Sequence, residues 1–162
     1  MIIRPATVED IPSILGLDRS SPAAHWTELQ YHQLFQPRSG ASHQRLVLIV
    51  EGWQTDISIA DERAEMVVLA FLVARHVASE WELENIVVAE TARRMGLGKQ
   101  LLEALLTRAT ETKSDAVFLE VRESNASARA LYESSGFEPT GHRTAYYTNP
   151  FEDAVLYRRL IG

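Results

Sequence analysis

The sequence predicts a mixed α/β domain built on a single sheet, and three observations predict it. Apolar runs of strand character recur along the chain, apolar stripes at helical spacing interrupt them, and three of the strands follow one another with no helix between them. In order the elements read as strand, two helices, three strands, helix, strand, helix and two strands. A doubly wound nucleotide fold needs crossover helices between its parallel strands, so this order describes instead a mixed sheet of about seven strands flanked by about four helices.

Ile2-Ile3-Arg4 reads as a short first strand. Thr7 opens a helix, with Asp10 three positions on in a box-like arrangement that can satisfy N–H groups at the helix start. Ile11, Ile14, Leu15 and Leu17 supply its apolar stripe. Ser20 to Trp26 is a loop, and Thr27 with Gln30 repeats the capping pattern ahead of Leu34 and Phe35. Leu46 to Val50 is a buried strand, and the polar stretch around Thr55 to Glu65 reads as an extended hairpin loop. Met66 to Val77 and Trp81 to Val88 are rich in β-branched and aromatic residues and read as strands. A helix follows from about Gly98 to Thr112, with Leu97, Leu101, Leu102, Leu105, Leu106 and Ala109 on its buried face. Ala116 to Val121 is a strand. A shorter helix begins at Ser124 or Asn125 and stops at Gly136, where a helix end favours a left-handed glycine. Strands near Arg143–Tyr147 and Ala154–Leu160 close the chain as a hairpin.

At 162 residues the chain fills one domain, residues 1–162, and is too short for two ordinary ones. No apolar run reaches the ~18–20 residues that span a bilayer. Met1-Ile2-Ile3-Arg4-Pro5 lacks the parts of a signal peptide, so a cytoplasmic location without membrane attachment is expected. The absence of cysteine excludes disulfides, thiolate metal sites and a cysteinyl intermediate, so any group transfer uses another nucleophile or runs directly from donor to acceptor. His25, His32, His43, His76 and His142 show no ligand spacing, and no metal is expected. A net charge of −6 argues against general nucleic-acid binding and is compatible with a basic peptide.

The chemistry concentrates in two places. Arg93-Arg94-Met95-Gly96-Leu97-Gly98-Lys99 follows an apolar strand and opens an apolar-striped helix. Free N–H groups and partial positive charge at a helix start suit phosphates, glycines let backbone approach an anion, and the basic side chains add charge. A P-loop is excluded because Arg93 stands at its first glycine and Gln100 follows Lys99; a dinucleotide fingerprint is excluded because position 101 is Leu. Alone, the loop reads equally as an ordinary turn before a helix.

The second place is downstream. Asn125 and Tyr132 lie about two turns apart on one helix face, with Ala128 and Arg129 between them. Asn125 can bond an amide of a bound ligand or cap the helix; Tyr132 can be a proton donor or a core aromatic. Glu120 interrupts the apolar Ala116–Leu119 run, and Glu82 and Glu84 interrupt Trp81–Val88 on one face. Partly buried carboxylates of this kind serve as general bases or sit in salt bridges, with Arg122 and Arg143 as candidate partners of Glu120.

Taken together, these residues resemble the GNAT acetyltransferases and, within them, the RimI-type ribosomal-protein-alanine N-acetyltransferases. Three signatures carry the resemblance. The first is Asn85-Ile86-Val87-Val88 with the Arg93–Lys99 loop. The second is Leu119-Glu120-Val121-Arg122-Glu123-Ser124-Asn125 with Ala128, Leu131-Tyr132 and Gly136-Phe137. The third is Gly141, Arg143 and Tyr146-Tyr147 with Glu152-Asp153-Ala154. The resemblance implies a mostly antiparallel GNAT sheet and acetyl-CoA as co-substrate. Backbone of Ile86, Val87 and Val88 would pair with the pantetheine arm. Arg93, Arg94, Met95, Gly96, Leu97, Gly98 and Lys99 would bind the pyrophosphate, with Asn125 and Arg129 also contacting CoA. Glu120 would be the general base, with Glu82 the second candidate, and Tyr132 the general acid. His25, Trp26, Tyr146 and Tyr147 would shape the acceptor site. The implied acceptor is a protein N-terminus, such as that of an Ala-starting ribosomal protein, reached by a monomer or homodimer. The alternatives are a lysine side chain or small amine as acceptor, and a non-catalytic CoA-binding module. Glu84 and the Gln54–Glu65 stretch depart from the RimI-type pattern and bear on acceptor choice.

Overall fold

The computed structural model describes residues 1–22, 25–37, 44–54 and 65–162. Its elements run β1 (Ile2–Pro5), α1 (Ile11–Ser20), α2 (Glu28–Leu34), β2 (Arg45–Gln54), β3 (Glu65–Val77), β4 (Glu80–Val88), α3 (Leu97–Glu111), β5 (Ala116–Arg122), α4 (Ala126–Ser134), β6 (Glu138–Tyr147) and β7 (Glu152–Leu160). The strands hydrogen-bond in the order β1-β2-β3-β4-β5-β7-β6. Every predicted element is present. The hairpin loop expected from Thr55 lies outside the described residues as far as position 64, and so does His43.

Two compact units divide the described residues. The first falls within Met1–Ser39, Leu46–Val73 and Asn85–Leu101, and the second within Gly40–Arg45, Ala74–Glu84 and Leu102–Gly162.

In the first unit β1 and β2 pair antiparallel, with Ile3 opposite Val50. The expected helix from Thr7 starts later than its capping pattern suggests. Val8–Asp10 forms a single 3₁₀ turn, and α1 begins at Ile11 with Pro12 in its first turn, where a missing N–H costs nothing. Asp10 is occupied on both sides. It accepts from the Thr7 N–H at 2.7 Å and from two Arg4 nitrogens at 2.9 Å each. The Arg4 guanidinium therefore holds the Asp10 carboxyl below its ordinary range. The second capping box forms as read: the Gln30 N–H donates to Thr27 Oγ1 at 3.2 Å, and the Thr27 N–H to Gln30 Oε1 at 2.7 Å. Ile11, Ile14, Leu15, Tyr31, Val47, Ile49, Phe71, Val73 and Val87 form the buried cluster of this unit. Each such side chain contributes about 1.5–3 kcal/mol on leaving water. One position corrects the predicted stripe. Leu17 is only partly buried, while Asp18 takes the buried place one turn after Leu15.

In the second unit β4 runs parallel to β5 from Glu80 opposite Ala116 to Leu83 opposite Leu119. β5 runs antiparallel to β7 from Ala116 opposite Leu160 to Arg122 opposite Ala154. β6 then pairs with the outer side of β7, with Arg143 opposite Ala154. Alternation sorts the side chains by face. Trp81, Leu83, Val117, Leu119, Val121, Val155 and Tyr157 are buried. Glu82, Glu84, Phe118 and Glu120 point the other way and are half-buried. Asn125 caps α4 by accepting from the Ala128 N–H at 3.2 Å, and Gly136 follows the helix at φ 80°, the left-handed conformation that its position predicts.

Candidate active site

In the first unit the chain leaves β4, makes a 3₁₀ turn at Glu90–Ala92 and enters the basic loop. Buried Ala92, Leu97 and Leu101 anchor the two ends of that loop, while Arg93, Arg94, Met95 and Lys99 are exposed. Arg94 at φ 66° and Gly96 at φ 78° turn the backbone in the left-handed region. A non-glycine residue there is strained by about 1 kcal/mol or more. A Cβ built on Gly96 would meet nothing within 4 Å, so the backbone conformation alone favours glycine there, and space is left in front of it. The Gly96 carbonyl accepts from the Gln100 N–H at 3.0 Å, which starts the helical ladder. Exposed cations and an open approach at a helix start, whose partial positive charge favours anions, fit an anionic group such as a pyrophosphate.

The same unit holds His25 and Trp26. His25 is exposed. The Trp26 N–H donates to Asp18 Oδ2 at 2.9 Å, and its ring lies 5.4 Å from that of Tyr31. Asn85, read from the sequence only as part of a signature, donates its amide to Asp18 Oδ1 and to the Tyr31 hydroxyl, each at 3.2 Å.

In the second unit a chain of polar groups runs through the predicted catalytic residues. Glu120 Oε1 lies 2.8 Å from Arg143 Nε. The Tyr146 hydroxyl hydrogen-bonds Glu120, which raises the pKa of that phenol above its ordinary value; partial burial adds to the rise, and nearby Glu82 contributes a little. Tyr146 and Tyr147 meet edge to face at 5.1 Å. Burial first, then Glu120, pushes Tyr147 up to about 12, although the Arg122 guanidinium over its ring at 4.3 Å opposes the rise. Tyr132 is buried beside Phe137 and Tyr157, with ring centroids 6.0 and 6.1 Å away. Burial raises its pKa strongly, with a smaller contribution from Tyr147. The structure therefore groups Glu120 with Arg143, Tyr146 and Tyr147, while Glu82 is held by Arg75 and Tyr132 packs against Phe137 and Tyr157.

All three strand carboxylates are paired. Arg75 holds Glu82 at 2.6 Å, and Arg45 holds Glu84 at 2.7 Å with Arg75 a further 3.5 Å away. Burial outweighs both arginines at Glu84 and leaves its pKa above the ordinary value. Of the two partners expected for Glu120, Arg143 takes the role, while Arg122 pairs with Glu152 at 3.5 Å. Asn125 and Arg129 both have structural bonds. Arg129 donates to the Tyr157 hydroxyl and to the Glu123 carbonyl, each at 3.1 Å, and the Tyr157 hydroxyl donates to Glu133 at 2.6 Å. Among the described residues no three His, Asp or Glu side chains are grouped to hold a metal ion, and no helix is long and apolar enough to cross a membrane.

Asp18 escaped the sequence reading, whereas Arg143 was named there as a candidate partner of Glu120 and as part of the third signature. The signal for Asp18 was available: Ile11, Ile14, Leu15 and Asp18 stand at the i, i+3, i+4, i+7 spacing of one buried face.

The comparisons with known proteins give the class. Residues 13–137 match the Acetyltransferase (GNAT) family, and the chain belongs to it. Over 149 residues it is 32% identical to the ribosomal protein bS18-alanine N-acetyltransferase of Escherichia coli, across 91% of this chain and 88% of that one. The crystal structure of the Escherichia coli ribosomal-protein-alanine N-acetyltransferase aligns with a TM-score of 0.77 at 29% identity, covering 99% of this chain and 94% of the other. That of Ard1 from Thermoplasma volcanium aligns with a TM-score of 0.78 at 25% identity, covering 99% and 97%. The chain is thus a GNAT of RimI type and an acetyl-CoA-dependent N-acetyltransferase, as its signatures imply.

Proposed function

We propose that this enzyme acetylates the α-amine at a protein N-terminus, with an Ala-starting ribosomal protein as the acceptor class. Glu120 is the general base and Tyr132 the general acid. The observation that carries the assignment is the Glu120 cluster: a half-buried carboxylate held by Arg143 at 2.8 Å and hydrogen-bonded to Tyr146, electrostatically linked through Tyr147 to a buried Tyr132. The 32% identity to an enzyme named for alanine N-acetylation supports the acceptor class.

On this reading acetyl-CoA is the donor. Backbone of Ile86, Val87 and Val88 pairs with the pantetheine arm, and Arg93 to Lys99 take the pyrophosphate. As the family resemblance implies, Asn125 and Arg129 add CoA contacts, and His25, Trp26, Tyr146 and Tyr147 shape the acceptor site. An α-amine has an ordinary pKa of about 7.7–8.0, and only its neutral form attacks. Glu120, through a water, takes a proton from the amine as the new N–C bond forms to the acetyl carbonyl. A backbone N–H at the end of β4 polarises that carbonyl. As the C–S bond breaks, Tyr132 gives its proton to the sulfur and recovers one from solvent. Burial raises its pKa, and the phenol is protonated at neutral pH, as a proton donor must be. Direct transfer fits a chain without cysteine. Glu82 is the second candidate for the base. The enzyme works as a monomer or homodimer in the cytoplasm, without nucleic acid or membrane.

The test is acetyl-CoA turnover with an Ala-starting basic peptide, compared with spermidine and with an N-terminally blocked lysine peptide. Preference for the free N-terminus is expected. Preference for either other amine overturns the acceptor, and CoA binding without turnover on any amine overturns the enzymatic roles of Glu120 and Tyr132.

A further inference from the structure

Asp18 is out of place in α1. It occupies a position of the buried stripe, and only 1% of it is exposed. Withdrawing a carboxylate from water costs several kcal/mol unless donors replace the lost hydration. The donors here are neutral and come from different segments: the Trp26 N–H at 2.9 Å from the α1–α2 connection, and the Asn85 amide at 3.2 Å from β4. The hydroxyl of Tyr31, on α2, accepts from the same Asn85 amide at 3.2 Å and hydrogen-bonds Asp18. Tyr31 is fully buried, packed on Trp26 at 5.4 Å and edge-on to Phe71 at 6.1 Å. Burial and the Asp18 charge both hold its hydroxyl in the protonated form that such a bond needs.

An apolar residue at position 18 would fill the same space without the desolvation cost. What it would not do is tie the backbone of Trp26 to the side chain of Asn85. Those two ends matter because of their neighbours. Asn85 directly precedes Ile86–Val88, and exposed His25 directly precedes Trp26.

We propose that Asp18 is a positioning residue for acceptor selection: it pins the His25–Trp26 connection to β4 at Asn85, so that the first residues of the acceptor meet a fixed wall beside the donor strand. The inference rests on the N-terminal acceptor proposed above. Asp18 itself is too buried to touch substrate, so its contribution is geometric.

The experiment is steady-state kinetics of the full chain with Ala-starting and Leu-starting peptides, acetyl-CoA affinity being measured by calorimetry. Asp18→Asn places a donor among donors without changing size. It should raise the KM of the Ala-starting peptide about tenfold and narrow the discrimination against the Leu-starting peptide by a similar factor, with kcat and acetyl-CoA Kd within about twofold of wild type. Adding Asn85→Asp restores one carboxylate and one amide to the network and should return KM to within about threefold. Tyr31→Phe removes a single donor, keeps the packed ring, and should show the same split at about threefold; it carries the test if Asp18→Asn does not fold. Unchanged KM and discrimination, or a loss confined to kcat or to acetyl-CoA affinity, overturns the inference alone. A wild-type chain that turns over spermidine and not the peptides overturns the acceptor assignment and this inference with it.

Discussion

Asp18 and Glu120 are carboxylates withdrawn from water by opposite means. Asp18 is buried and bonded to neutral donors: the Trp26 backbone N–H, the half-buried Asn85 amide and the buried Tyr31 hydroxyl. Glu120 lies on a sheet face where arginines answer carboxylates: Arg143 to Glu120, Arg75 to Glu82, and Arg45 to Glu84. The Arg143 side chain is 54% exposed, so it can leave Glu120 without stranding a charge in the core. A neutral cage fixes geometry, since no partner can depart without leaving an unsatisfied buried group. An ionic pair at a half-open face keeps a carboxylate available to exchange partners, which a proton-transfer group requires.

If that contrast is right, chemistry should fail on the charged face and not in the neutral cage. The largest effect is expected for Tyr132→Phe, which should lower kcat about a hundredfold while acetyl-CoA Kd stays within about twofold. An unchanged kcat removes its role as acid. Glu120→Gln comes next, with kcat/KM down about tenfold or more and the ascending limb of the pH–rate profile lost. Should that limb survive and vanish instead in Glu82→Gln, the base is Glu82.

Stability separates the arginines of the charged face. Arg45 and Glu84 are both largely buried, so Arg45→Met should cost about 2 kcal/mol in denaturant unfolding by leaving Glu84 with only the more distant Arg75. Arg143→Met, where the arginine is 54% exposed, should cost less than about 1 kcal/mol. Equal costs would erase the distinction between a pair that holds the sheet and one that serves the site. The smallest effect concerns Tyr147, whose pKa rises from 10.0 to about 12 through burial and the charge of Glu120. A folded pKa above the unfolded one means that the unfolded chain loses its proton first. The stability from this group is thus complete below pH 10 and is lost as pH climbs towards about 12. Tyr147→Phe should flatten that part of the stability–pH curve.

Much of this was legible in the residues. Capping boxes, apolar stripes and the glycine after α4 act over three or four positions, so Thr27, Gln30 and Gly136 announced their elements before any fold was known. Pro12 moved the start of α1 because a backbone constraint overrode an otherwise satisfied cap. Glu120 stood out as a charge inside an apolar strand, whereas Asp18 was hidden by its ordinary helical neighbours. The partners of both were set by distance along the chain. The Asn85–Asp18 bond joins residues 67 apart, and the Arg143–Glu120 pair residues 23 apart.

The sequence by itself determined the order of strands and helices, the basic loop between β4 and α3, and the family that these imply. Local spacing encodes each of them, since hydrophobic periodicity, caps and turn glycines are short-range physics. The tertiary structure alone decided that β7 lies between β5 and β6, that Arg143 and not Arg122 answers Glu120, and that Asp18 joins α1, the α1–α2 connection, α2 and β4. Those outcomes depend on which distant groups reach a buried carboxylate once its water is removed. That balance of desolvation against new bonds is settled only when the chain has closed on itself.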